Sequence, residues 1–175
     1  MDEQPDPELE AHLRQVGREL IEEAAEDEQL TELLRRRRLD LAARARELVH
    51  RGDRVRAETG AHTFSGQVIY AGSDFATLDR GEDTVEVALE AAVWAVEPGD
   101  STGHDQAGEP LTFRARLSEL ASTSEPVRLI VGDGRAILGS IAVVAIDHVE
   151  IAQDHNTIVV PLRLITAVVR SSARF

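Results

Sequence analysis

The chain has no cysteine and no lysine, and aromatic residues make up only 3% of its 175 positions. Without cysteine there can be no disulfide, no thiolate metal site and no Cys nucleophile. With so few rings, a core must be built from Val, Ile, Leu and Ala, which a hydrophobic content of 42% allows. No apolar run approaches the ~20 residues that span a bilayer. The opening MDEQPDPELE has neither the basic nor the apolar stretch of a signal peptide. These absences predict a cytoplasmic protein with no membrane contact. Arg as the only strong cation, with abundant Ala, is the composition of a GC-rich bacterial genome.

Positive charge is scarce too. The formal net charge is −13, divided as −6 over residues 1–50, −5 over 51–98 and −2 over 99–175. No segment is net basic, so a phosphate backbone is repelled on average.

Helical periodicity comes first. Pro7 suits a first turn that Asp6 can cap. Leu9, Leu13, Val16 and Leu20 then recur at three- and four-residue spacing and form an apolar stripe, a candidate interface. Acids crowd Glu22-Glu23 and Glu26-Asp27-Glu28. A second periodic set, Leu30, Leu34, Leu41, Ala45 and Leu48, stops at Gly52. The pattern fits either one helix from Pro7 to His50 or two that meet near Asp27, a plausible second cap. The run Arg35, Arg36, Arg37 and Arg38 is the candidate nucleic-acid contact. On a helix, successive side chains turn by about 100°, so four in a row do not form one patch, and Glu32 and Asp40 stand ready to pair with them.

From Asp53 the period changes to two, and the chain repeats itself. Val55 to Glu97 matches Val127 to Arg170 at a spacing of 72 residues, then 73 after the first turn. Gly66-Gln67-Val68 falls on Gly139-Ser140-Ile141. Asp74 falls on Asp147, and Thr84-Val85-Glu86-Val87 on Thr157-Ile158-Val159-Val160. Each copy reads as five short strands with a Gly-bearing second strand, where Gly permits a sharp bend, and a one-turn link before the fifth. A helix precedes each copy, the second over Leu111 to Ala121. The polar, Gly-rich stretch Asp100 to Pro110 is a linker. The expected division is an acidic N-terminal helix over 1–28, a helix with the first small barrel over 29–98, a linker over 99–110, and a helix with the second barrel over 111–175. The expected class is α+β, two tandem five-stranded barrels that each close on their own aliphatic interior.

A helix followed by five strands, with V-R-L-I-V-G-D-G-R, Gly139-Ser140-Ile141 and Ile146-Asp147, resembles the Sm-like barrel over about residues 40–97 and 111–170. The resemblance implies that fold and self-association through strand edges. RNA sites of that family follow the Asp with an aromatic or His and then an Asn. Here Phe75 follows Asp74 and His148 follows Asp147, yet the only Asn is Asn156, in a turn. The family's basic residue beside Gly in the link is missing from Leu89-Glu90-Ala91-Ala92 and Leu162-Arg163-Leu164-Ile165. RNA binding is therefore not carried over. A single continuous sheet through both halves would count against the comparison.

Catalytic chemistry has little to stand on. The six His residues include no metal-binding pair with a third ligand. His148 and His155 read as exposed polar residues, and Asp74 and Asp147 as carboxylates that accept backbone N–H groups at turns. Gly132-Asp133-Gly134 is a hairpin turn. No nucleophile stands beside a base, so neither an enzyme nor a bound cofactor or metal is expected. Trp94, the single Trp, lies where the second copy has Ala167 and is a candidate for covering a barrel end or anchoring a contact. The expected function is a self-associating scaffold or protein-interaction module, a homo-oligomer or a binder of a protein partner. The alternative is a nucleic-acid-binding regulator.

Overall fold

The computed structural model describes residues 7–99 and 103–171, apart from the side chains of 7–14 and 19. The chain divides into two compact units, Met1–Leu39 and Asp40–Phe175. The first contains one helix, α1 (Pro7–Arg36). It runs unbroken through Asp27, so the expected boundary at 28/29 falls inside a helix. The physical reason is local. Residues 18–36 contain neither Gly nor Pro, and one interior Asp among Glu, Ala, Leu and Gln costs well under about 1 kcal/mol. Leu20, Ile21, Leu30, Leu33 and Leu34 are exposed on α1.

The second unit opens with α2 (Leu41–Arg51). Asp40 Oδ1 accepts the Ala43 N–H at 2.6 Å, and Gly52, at φ 67°, donates its N–H to the carbonyls of Leu48 and Val49. Side-chain caps and a left-handed glycine satisfy backbone groups that a helix end leaves without partners. Five antiparallel strands follow: β1 (Arg54–Thr59), β2 (His62–Ala71), β3 (Phe75–Asp79), β4 (Asp83–Ala88) and, after a 3-10 turn at Leu89–Ala91, β5 (Val93–Glu97). Next comes α3 (Phe113–Thr123), with Thr112 Oγ1 accepting the Ala115 N–H at 3.1 Å. The second set of strands is β6 (Pro126–Val131), β7 (Ala136–Val144), β8 (His148–Gln153), β9 (Asn156–Pro161) and, after Leu162–Leu164, β10 (Ile165–Ser171).

The duplication is visible in the ladders. Both halves order their strands fifth, first, second, third, fourth, and the same bulge interrupts β2 after Val68 and β7 after Ile141. The glycines of the bend also correspond. A Cβ on Gly66 would stand 2.5 Å from the Asp79 carbonyl oxygen, and one on Gly139 would collide with the Ala152 carbonyl oxygen. The third strand crosses so close to the second that no side chain fits between. Gly66→Ala is therefore expected to lower stability by about 1–3 kcal/mol. Urea unfolding measures it, and an unchanged midpoint would refute the crowding.

The expected pair of separately closed barrels does not form. The ten strands make one antiparallel sheet in the order β5-β1-β2-β3-β4-β10-β6-β7-β8-β9, and the sheet is not closed. The halves are joined by β4 and β10, with Val87 opposite Ala167, Glu86 opposite Val168, and Val85 opposite Val169. An edge strand carries a row of N–H and C=O groups without partners, and here the edge of one copy satisfies that of the other.

Two cores survive the merger, one on each face at this seam. Ala45, Leu48 and Val49 of α2 pack with Val55, Phe64, Leu78, Val85, Val87, Ile130, Ala167 and Val169. Phe113, Leu117 and Leu120 of α3 pack with Phe75, Val127, Leu129, Ile141, Ile151, Ile165 and Val168. Successive strand residues face opposite sides, and a bulge between Ile165 and Ala167 shifts that alternation by one, so β10 gives Ala167 and Val169 to one core and Ile165 and Val168 to the other. Seam strands are buried on both faces, while β1, farther out, alternates buried and exposed residues.

Candidate functional site

The four arginines lie at and just past the end of α1. Glu32 takes two of them: Arg35 Nε and Arg36 Nε each donate to its carboxylate at 2.7 Å. These hydrogen bonds hold the exposed Glu32 carboxyl down at about 2. The run is therefore partly neutralised on its own helix. Of the candidate interface residues, Val16 and Leu20 are exposed on α1, while the side chains of Leu9 and Leu13 lie outside the described residues.

Trp94 is half-buried against the α2 core, and its Nε1–H donates to the Leu89 carbonyl at 3.1 Å. Its counterpart is not Ala167. Trp94 stands opposite Ala57 of β1, the residue matching Leu129, and Leu129 faces Val168. A bulge between Ile165 and Ala167 has moved the second copy on by one residue, so Val168 takes the core-facing place. The spacing between the copies therefore rises from 73 to 74 in this strand, and an alignment held at 73 sets Trp94 against Ala167.

The other sequence candidates have structural work. Asp74 Oδ1 accepts the Phe113 N–H at 2.6 Å and so holds the start of α3. His148 Nδ1 lies 2.7 Å from Asp147 Oδ1. That hydrogen bond is the main reason the Asp147 carboxyl is held below its ordinary range. A cleft of about 530 Å³ bordered by Asp74, Glu90, Arg114 and Arg163 is open. Asp74, one of its two carboxylates, already accepts the Phe113 N–H. Among the described residues no group of three His, Cys, Asp or Glu is placed to hold a metal, and no helix is long and apolar enough to cross a membrane.

Besides Asp53, which is paired with Arg51 near it in the chain, the described residues include a second fully buried carboxylate in an ion pair, and it lies at the seam. Glu86, at 0% exposure, receives Arg116 Nη2 of α3 at 3.0 Å and Arg170 Nε of β10 at 3.2 Å on its Oε1. Arg116 is also held by Glu119 at 2.8 Å. Burial works against the Arg116 charge, but the hydrogen bonds and charges of Glu119 and Glu86 outweigh it and raise its pKa. In the sequence Glu86 stands as a charge between Val85 and Val87, where the second copy has Val159. Arg116 and Arg170 were not tied to it, since 30 and 84 residues separate them from it.

Beyond the seam the sheet ends in two unlike edges, β5 and β9. Val93 of β5 is 71% exposed and Val159 of β9 is 58% exposed. Alongside β5 an apolar groove of about 200 Å³ opens between α2 and the strand, with Leu41, Arg44, Leu48, Leu89, Trp94 and Val96 on its walls. In sequence, the chain matches no protein-family model, and no similar curated protein was found.

Proposed function

We propose that this protein is a non-enzymatic, self-associating interaction module, and that its two sheet edges are its working surfaces. One observation carries the reading. The seam already joins a fourth strand to a fifth strand, β4 to β10, and the same two strand types, β9 and β5, stand free at the ends. Each free strand offers a row of backbone donors and acceptors together with an exposed Val. The two halves share one sheet of ten strands, and that sheet is not closed. What supports a kinship with Sm-like barrels is narrower: the strand order repeated in each half and the edge pairing at the seam. Nucleic-acid binding remains the alternative reading, and the engagement of Arg35 and Arg36 by Glu32 weighs against it.

Light scattering and native mass spectrometry on the full chain test the proposal. The expected result is a particle at a multiple of 19.1 kDa that persists at micromolar concentration. A strict monomer defeats the self-association reading. Binding to single-stranded RNA or duplex DNA that weakens steeply with salt would favour the alternative.

A further inference from the structure

The self-association reading leaves open how the copies meet, and the seam supplies a template. We propose that copies join head to tail, β9 of one along β5 of the next, in the register of the β4–β10 pair, with Val159 seated in the groove between α2 and Trp94. The occupant of that groove is thus a second copy of this chain.

The register follows by carrying each seam residue to its repeat counterpart. Ala167, Val168, Val169, Arg170 and Ser171 of β10 correspond to Val93, Trp94, Ala95, Val96 and Glu97, once the bulge in β10 is counted. Their seam partners Val87, Glu86, Val85, Thr84 and Asp83 correspond to Val160, Val159, Ile158, Thr157 and Asn156. Between copies, then, Val93 faces Val160, Trp94 faces Val159, Ala95 faces Ile158, Val96 faces Thr157, and Glu97 faces Asn156. No like charges meet.

Burial argues for this pairing. At the seam, Ala167 and Glu86 are both at 0% exposure, whereas their counterparts Val93 and Val159 are at 71% and 58%. An intermolecular seam would cover both. The groove argues for it independently. Glu86 is gripped by Arg116 and Arg170, whose counterparts are Arg44 and Val96, and both line the open groove. Arg44 is held by Glu47 at 2.8 Å, as Arg116 is by Glu119. The groove beside β5 therefore matches the site that Glu86 fills inside the chain, with Val96 in place of Arg170. Apolar Val159 in place of Glu86 suits that change. The internal seam is ionic, the external one is apolar, and the difference favours correct pairing of the edges.

A chain without cysteine makes the register directly testable. Opposed antiparallel residues have Cα atoms about 4.5–5.5 Å apart, within disulfide reach. The double variant Glu97→Cys with Asn156→Cys is expected to give a ladder of covalent multimers on mild oxidation, and neither single variant should. A dimer from Asn156→Cys or Glu97→Cys alone would mean like edges pair, and would overturn the proposal. Val159→Arg sets a second guanidinium against Arg44 and is expected to weaken association by about a hundredfold or more. Val159→Glu combined with Val96→Arg rebuilds the ionic arrangement of the internal seam and is expected to assemble. All these positions lie on free edges, so circular dichroism should be unchanged. If the unmodified chain is oligomeric but the double-cysteine variant does not cross-link and Val159→Arg leaves association unchanged, this seam is wrong while self-association stands. If the unmodified chain is monomeric, both readings fall.

Discussion

Replacing Phe75 by Ala is expected to lower the stability of the second unit by about 3–5 kcal/mol, the usual cost of emptying a buried Phe site. Phe75 belongs to the first copy by sequence, on β3, but it is fully buried in the core of the second. Its ring lies 5.7 Å from Phe113 of α3 and 5.7 Å from Tyr70. Aromatic pairs at such distances add about 0.5–1.5 kcal/mol beyond the burial of their area. The variant should shift urea unfolding as a single transition, because the residue that is lost joins the two halves. Hydrogen exchange should report weakened protection in β6 and β10 as well as in β3. If only β1 to β5 lose protection, the two cores are not coupled through the seam.

Glu86→Ala is expected to cost about 2–4 kcal/mol. Removing one partner of a buried ion pair typically costs about 3–5 kcal/mol, because the remaining charge is left in a poor solvent. Here the remaining charges are not sealed in: the Arg116 and Arg170 side chains keep 22% and 28% of their exposure and can turn toward water. The cost should therefore fall below the full figure. Glu86→Gln keeps the shape and one acceptor and should cost less than Ala. Replacing Glu86, Arg116 and Arg170 together by apolar residues of similar size should restore most of the stability, since burying an ion pair is itself expensive. Equilibrium unfolding of the three variants decides this. Equal losses for Ala and for the triple apolar variant would mean that the cluster stabilises by its charges and not merely by filling the seam.

Much of the secondary structure was legible because it depends on neighbours in the chain. Phe75–Asp79 and Val93–Glu97 fall between the turns and links that bound them, and the 3-10 turns at Leu89–Ala91 and Leu162–Leu164 occupy the one-turn links. Asp40 was not recognised as a cap, although it is an Asp directly before the periodic set beginning at Leu41. The seam was missed for a different reason. Leu129-Ile130-Val131 and Ile165-Thr166-Ala167-Val168-Val169 are apolar without alternation, which is how strands buried on both faces read. That signal predicts a covered sheet. It says nothing of which strand lies alongside.

What the sequence determined by itself is the duplication, the aliphatic composition of the cores, and the bends at Gly66 and Gly139, since each depends on residues close in the chain or on plain comparison of its two halves. What only the tertiary structure decided is that β4 chose β10 as its neighbour, that two cores came to lie on opposite faces of one sheet, and that β5 and β9 were left open. Backbone hydrogen bonds along a strand edge are the same for every residue, so partner choice is made by packing across the whole unit, and residue order alone does not record it.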